Sequence, residues 1–325
     1  MSFSCSFLAQ NHWTLLASLR TISTSYLLTD PTIMQHSPIS FTSHRRQIFG
    51  RCDVLQKDIM QPDTRLKQES LESAELVEEM PLAISINDIS YAIMMVTPVH
   101  LEAFVIGFAR SEGIIEHIND IRDITVQLTK TQPDIDSVAI NLELSPRRFS
   151  QFKQRRQTHL GATGCGLCGV ESLTQAIPTL SKLQPSQAID EASLIALRSQ
   201  LSEYQILGNK TGAVHAALLI SPEGEPIFCM EDIGRHNALD KVIGYALQQD
   251  INLHNYSVLM SSRCSTELVQ KAVRVGLSRL IHLASPSTLA VKLAQHYGLA
   301  LIHLPKQDAP RLFASSAQQK GTNDE

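Results

Sequence analysis

The chain has 325 residues, 43% hydrophobic and 18% charged, enough to bury one large or two ordinary cores and too apolar for global disorder. Its formal charge is −4, from 28 basic and 32 acidic residues, so nothing argues for wholesale nucleic-acid binding and any anion site must be local. No apolar run of about 18 residues exists to span a bilayer, and six unevenly spaced cysteines form no secreted disulfide framework, which points to a reducing compartment.

Residues 1–75 read as a disordered leader. The first 43 hold fifteen Ser or Thr and one acidic residue, Asp30, with no apolar periodicity and no secretory signal. An organelle transit peptide and a start assigned too far upstream, with Met34 or Met60 as the true start, fit the same composition. Residues 76–160 read as a small α+β domain. Leu82 to Ile86 and Tyr91 to Val96 flank Asn87-Asp88 as a hairpin. Thr97-Pro98 opens a helix that presents Leu101, Phe104, Val105 and Phe108 on one face and stops near Gly113. Strands follow at Ile121 to Leu128 and Val138 to Leu144, then a helix over Pro146 to Gln157.

Residues 161–175 form a glycine-rich Cys-x-x-Cys loop, residues 176–312 an α/β domain and residues 313–325 a polar tail. Strands are expected at Val214 to Ile220, Ile227 to Met230, Val258 to Ser261, Leu280 to Leu283 and Ala300 to Leu304. Helices are expected at Ala238 to Gln248, Thr266 to Val275 and Thr288 to Tyr297, the last two closed by Gly276 and Gly298. That alternation implies a largely parallel sheet with right-handed crossovers. Ligands of such sheets lie beyond the carboxyl ends of the strands, where the polar loops Glu231 to Asn237, Ser262 to Ser265, Ser285 to Ser287 and Pro305 to Asp308 fall.

The sharpest local feature is Gly164-Cys165-Gly-Leu-Cys168-Gly169, an exposed loop whose thiols can be reached from two sides, as a sulfur relay requires. Arg147, Arg148, Lys153, Arg155 and Arg156 precede it with no acidic residue between Leu144 and Val170, and positive potential favours the thiolate. The pair also suits a zinc half-site, although no further ligand pair follows. A thioredoxin-like redox pair, a chance Gly-x-Gly-x-x-Gly match and an idle linker are the other readings. His215, in Thr211-Gly-Ala-Val-His215, stands where a cytidine deaminase carries His-x-Glu, but Ala217 replaces the Glu that would shuttle protons. In Glu231-Asp-Ile-Gly-Arg-His-Asn237 a loop-to-helix junction offers backbone N–H groups, with Arg235 as a phosphate fork; the structural reading is an Asn237 cap with Asp232 and Arg235 paired. Arg263 and Lys306 occupy equivalent strand ends, so three cations converge there on one polyanion.

Glu78 to Ile84, Phe104 to Phe108 with Glu112 to Ile115, Gly164 to Gly169, Thr211 to His215, Glu231 to Lys241 and Ser261 to Lys271 resemble the FdhD family in order and spacing, over about Glu78 to Leu304. The resemblance implies a cytoplasmic homodimer with a cytidine-deaminase-like larger domain that lacks deaminase chemistry and holds no metal. It further implies a sulfur carrier that takes persulfide sulfur from a cysteine desulfurase. The acceptor is the molybdenum bis(molybdopterin guanine dinucleotide) cofactor of formate dehydrogenase. Carried over by position, Cys165 bears the persulfide and Cys168 assists. The cofactor-binding tail falls on Leu304, Pro305, Lys306, Gln307, Asp308 and Ala309, joined by Arg235, Arg263 and His215. Ser262, Ser287 and the acidic Asp308 depart from the family pattern. The alternative is a chaperone that binds the cofactor or the dehydrogenase subunit while its thiols do nothing.

Overall fold

The structure, a computed structural model, describes residues 41–47, 71–132, 135–157 and 177–313. Toward the end of the leader, β1 (Phe41–Gln47) pairs antiparallel with β2 (Leu71–Val77). The partner strand is distant in sequence, so local composition gave no sign of the pairing.

The smaller unit is a four-stranded sheet backed by two helices. Strands β3 (Met80–Ile86), β4 (Ile89–Val96), β5 (Ile121–Gln132) and β6 (Ile135–Leu144) lie in the order β4-β3-β6-β5, with β3 parallel to β6. The expected turn between β3 and β4 is left-handed at both Asn87 (φ 46°) and Asp88 (φ 62°), as a two-residue hairpin needs. Both residues are tied to β6: Asn87 Oδ1 accepts from the Leu144 amide at 3.0 Å, and Asn141 Oδ1 accepts from the Asp88 amide at 3.0 Å. Helices α1 (Leu101–Ser111) and α2 (Pro146–Gln157) cover one face, where Phe104, Phe108 and Phe152 meet Leu82, Ile84 and Ile140.

The larger unit opens with α3 (Glu191–Tyr204) and α4 (Ile206–Thr211). There follow β7 (His215–Ile220), β8 (Pro226–Asp232), α5 (Arg235–Gln248), β9 (Ser257–Arg263), α6 (Thr266–Val275), β10 (Arg279–Ala284), α7 (Thr288–Tyr297), β11 (Ala300–His303) and β12 (Arg311–Phe313). The sheet runs β12-β11-β10-β9-β7-β8. Of the neighbouring pairs only β9–β10 and β10–β11 are parallel; β7 is antiparallel to β8 and β9, and β12 to β11. The expectation of a largely parallel sheet is therefore corrected. The turn between β7 and β8 is too short for a crossover, so the chain can only return antiparallel. Helices α5, α6 and α7 pack on one face with Ala217, Leu219, Val258 and Leu280. Helix α3, which sequence periodicity did not reveal, seals the other with Leu194, Leu197 and Leu201 against Leu218, Leu259 and Ile281. Gly276 (φ 79°) and Gly298 (φ 76°) close α6 and α7 in the expected left-handed conformation.

The two units meet where α1 crosses α5 at backbone contact. A Cβ on Gly107 would overlap the Asp240 carbonyl and stand 2.7 Å from the Gly244 amide nitrogen, and one on Gly244 would overlap the Ala103 carbonyl. Beside this crossing the buried Lys271 ammonium reaches Asp240 Oδ2 at 2.8 Å, Ser111 Oγ at 2.8 Å and Glu112 Oε1 at 2.9 Å. The Asp240 and Glu112 carboxylates hold its pKa above the usual lysine value in spite of burial. Replacing Gly244 by alanine is expected to lower the unfolding free energy by about 3 kcal/mol, because helix backbones rather than flexible side chains must part. Gly212→Ala, with open space around it and only a φ of 65° to pay for, should cost about 1 kcal/mol. Equilibrium urea denaturation compares the two, and a small equal cost would show that the helices separate freely.

Candidate functional site

The stretch Glu231 to Lys241 joins the end of β8 to the first turns of α5, and most of its polar side chains are consumed by the fold. Asp232 and Lys241 are both fully buried and 2.7 Å apart. The Lys241 ammonium also donates to the Thr97 carbonyl at 3.0 Å and the Glu231 carbonyl at 3.1 Å, so each of its three hydrogens has an acceptor. Asp232 Oδ2 further accepts from the Thr97 amide at 3.1 Å. Its Oδ1 accepts from the Gly234 amide and from Asn237 Nδ2, both at 2.8 Å. Asn237 Nδ2 also donates to the Met95 carbonyl at 2.9 Å. Gly234 is the helix cap, and a side chain there would press on Asn237 Nδ2 at 2.7 Å. The expected Asn237 cap with an Asp232–Arg235 pair is thus corrected: Asp232 faces Lys241, and Asn237 binds across the domain boundary. Glu231 is used up in turn, accepting from the amides of Ile206, Leu207 and Gly208 at 2.7 to 2.8 Å where α4 begins.

The carboxyl ends of β8, β9, β10 and β11 open at one edge of the sheet, and antiparallel β7 begins there, with His215 opposite Asp232. His215, Arg235, Arg263 and Lys306 therefore share that edge. The side chains of Arg235, Arg263 and Lys306 make no hydrogen bond or ion pair among the described residues, and Arg263 and Lys306 are exposed. Burial, with Arg235 nearby, lowers the pKa of the half-buried His215 and so favours its neutral ring. His236, not singled out in the sequence, binds Glu267 Oε2 at 2.8 Å, and Ser265 Oγ donates to the same oxygen at 3.3 Å. The His236 hydrogen bond holds the Glu267 carboxyl below its ordinary range. The signal was Glu267 in the first turn of α6, which a search of β8's loop alone does not reach.

The tail divides. Leu304 is wholly buried in the core between the sheet and α3, and its amide donates to the His282 carbonyl at 2.8 Å. Lys306, Gln307, Asp308 and Ala309 are exposed beyond Pro305. Asp308 is paired with Arg311 at 3.0 Å.

Two expectations about the small domain change or fall outside view. Arg148 is not a free cation: it is 4% exposed and spends its guanidinium on Glu116 at 2.8 Å and on the Gly113 and Ile114 carbonyls. Arg147 and Lys153 stay exposed, the latter over the Phe149 ring. Cys165 and Cys168 lie outside the described residues. The two described thiols are poor nucleophiles, since burial raises Cys229 far above its usual value and pushes Cys264 up to about 12. Among the described residues no group of three or more His, Cys, Asp or Glu is placed to hold a metal ion, and no helix is long and apolar enough to cross a membrane.

Residues 77–319 match the FdhD/NarQ family. The chain belongs to that family. A crystal structure from Desulfotalea psychrophila, named as a formate dehydrogenase accessory protein, shares the fold with a TM-score of 0.63 and 22% identity, over 86% of this chain and 99% of that one. Within this FdhD/NarQ fold the most specific sequence stretch is largely a domain joint, and only Arg235 and His236 of its polar side chains turn to the strand-end edge.

Behind that edge lies His282, fully buried on β10. Its Nδ1 is 3.1 Å from the Ser262 carbonyl, which can only accept, so Nδ1 carries the proton; Nε2 has no partner among the described residues. Burial, with His303 as a lesser cause, pushes its pKa down to about 4. Below the unfolded value of 6.5 the unfolded chain takes up a proton that the folded one refuses. The His282 contribution is thus complete above pH 6.5 and falls away toward pH 4, by about 3 kcal/mol in all. Urea unfolding at pH 7 and pH 4.5 should show a shallower acid loss in His282→Gln than in the wild type. Parallel losses would place the acid sensitivity elsewhere.

Proposed function

We propose that this chain is a sulfur carrier in formate dehydrogenase maturation, in which a persulfide on Cys165 supplies sulfur to a molybdenum bis(molybdopterin guanine dinucleotide) acceptor held at the strand-end edge. One observation carries the reading. The carboxylates described around that edge are each spent, Glu231 on three amides, Asp232 on Lys241, Glu267 on His236 and Asp308 on Arg311, whereas the side chains of Arg235, Arg263 and Lys306 have no partner among the described residues. An edge with uncompensated cations and the starts of α5, α6 and α7 suits a polyanion such as a pyrophosphate-bridged nucleotide. Arg235 and Arg263 supply bidentate forks and Lys306 a point charge. The neutral His215 ring offers a hydrogen bond without adding charge.

Sulfur loading is a thiol exchange. The Cys165 thiolate attacks the terminal sulfur of a desulfurase persulfide, a new S–S bond forms as the donor's breaks, and the desulfurase cysteine leaves as its thiolate. Of the described thiols, Cys229 and Cys264 are held protonated by burial and are unsuited to this role, so it falls to a cysteine beyond them. Cys168, three positions on, assists. The family and the accessory protein that shares the fold support the assignment to formate dehydrogenase.

Incubation with a cysteine desulfurase and cysteine, followed by intact-mass measurement, is expected to show a gain of one sulfur atom that a thiol reductant removes. Cys165→Ala should lose the gain with an unchanged melting temperature, because removing one thiol from so glycine-rich a sequence takes away little apolar surface. A wild type that stays unmodified while still binding guanosine diphosphate would instead identify a chaperone that holds the cofactor without carrying sulfur.

A further inference from the structure

Helix α3 brings to the site edge a residue that neither the sequence motifs nor the strand-end loops contain. Its buried stripe of Leu194, Leu197 and Leu201 seats the helix on the sheet face opposite α5 to α7. Arg198, beside Leu197 on the border of that stripe, reaches the tail. Its Nη1 donates to the Pro305 carbonyl at 2.7 Å and to the Asp308 carbonyl at 3.1 Å. These two carbonyls are the first and last of a four-residue segment, so one guanidinium nitrogen closes the segment into a turn. Lys306 and Gln307 sit between the closed ends with exposed side chains. Asp308, the one acidic group of the segment, is turned to Arg311. Both partners of Arg198 are backbone carbonyls, so its guanidinium acts on the path of the tail rather than on an acidic side chain.

We propose that Arg198 is a positioning residue for the nucleotide site: it holds Pro305 to Asp308 in the turn that presents Lys306 to a phosphate of a nucleoside diphosphate group. The proposal rests on the reading that the strand-end edge binds such a group. Hydrogen bonds donated by a charged group are the stronger kind, and a segment already ordered before binding forfeits less entropy when the ligand arrives. Without the clamp, Lys306 remains in the chain but is no longer held at the edge.

The test uses the full chain with guanosine diphosphate as the probe, titrated calorimetrically against the wild type, Arg198→Ala, Arg198→Lys, Lys306→Ala and the Arg198→Ala/Lys306→Ala double variant. Arg198→Ala should weaken binding roughly tenfold, and Arg198→Lys less, since it keeps the charge while losing the planar fork. The double variant should bind no more weakly than Lys306→Ala alone, because Arg198 acts through Lys306; a general structural defect would add to the Lys306 loss. Trypsin cleavage after Lys306 in the absence of nucleotide should accelerate in Arg198→Ala as the turn opens. Unchanged affinity in Arg198→Ala, or additive losses in the double variant, would overturn the proposal. A wild type that fails to bind guanosine diphosphate overturns the nucleotide reading and the proposal with it, and the tryptic rates would then show separately whether the clamp exists.

Discussion

The buried contact between the Lys241 ammonium and the Asp232 carboxylate, 2.7 Å apart, fixes how the two units of this protein stand against each other. Isolating either charge in an apolar joint would be expensive, and breaking such a pair from one side typically costs about 3 to 5 kcal/mol. The cost is avoided because every donor and acceptor around the pair is matched. Thr97 supplies both an amide and a carbonyl from the smaller unit, while Gly234 and Asn237 complete the carboxylate from the larger one. Fully satisfied polar networks of this kind specify one arrangement where an apolar joint would tolerate several. The Gly107–Gly244 crossing and the Lys271 cluster hold the same joint farther along α5.

The strand-end edge inherits its character from that joint. Because Asp232 is committed to Lys241, it is not available to neutralise Arg235. Glu231, tied to α4, is likewise withdrawn from the edge, and α4 leads directly into the strand that begins at His215. The result is an edge where acids are internally consumed and bases are left open, in a chain whose overall charge is −4. Net charge therefore says little about what this protein binds; the local pairing pattern says more.

Much of this was legible in the sequence where the cause was local. The Asn87-Asp88 turn, the glycine stops of α6 and α7 and the strands that carry the polar loops all follow from a few adjacent residues. What stayed hidden depended on distant partners. Strand β1 shows itself only through β2. The direction of β7 depends on its neighbours in the sheet. Helix α3 has only Leu194, Leu197 and Leu201 as buried residues, with Ile195 and two alanines off the stripe blurring its period. Asn237 looked like a helix cap because nothing nearby reveals that the Met95 carbonyl and Asp232 lie within reach. Arg148 looked like part of a basic patch for the same reason, since its partners Gly113, Ile114 and Glu116 are more than thirty residues away.

The central claim is that the stretch from Glu231 to Lys241 divides its labour, with Asp232, Asn237 and Lys241 joining the domains and Arg235 left for the proposed nucleotide. Titration of Arg235→Ala with guanosine diphosphate, read beside its urea unfolding midpoint, tests that division most directly. The account predicts roughly tenfold weaker binding with the midpoint unchanged. Unaltered affinity together with a lowered midpoint would contradict it, because Arg235 would then belong to the joint.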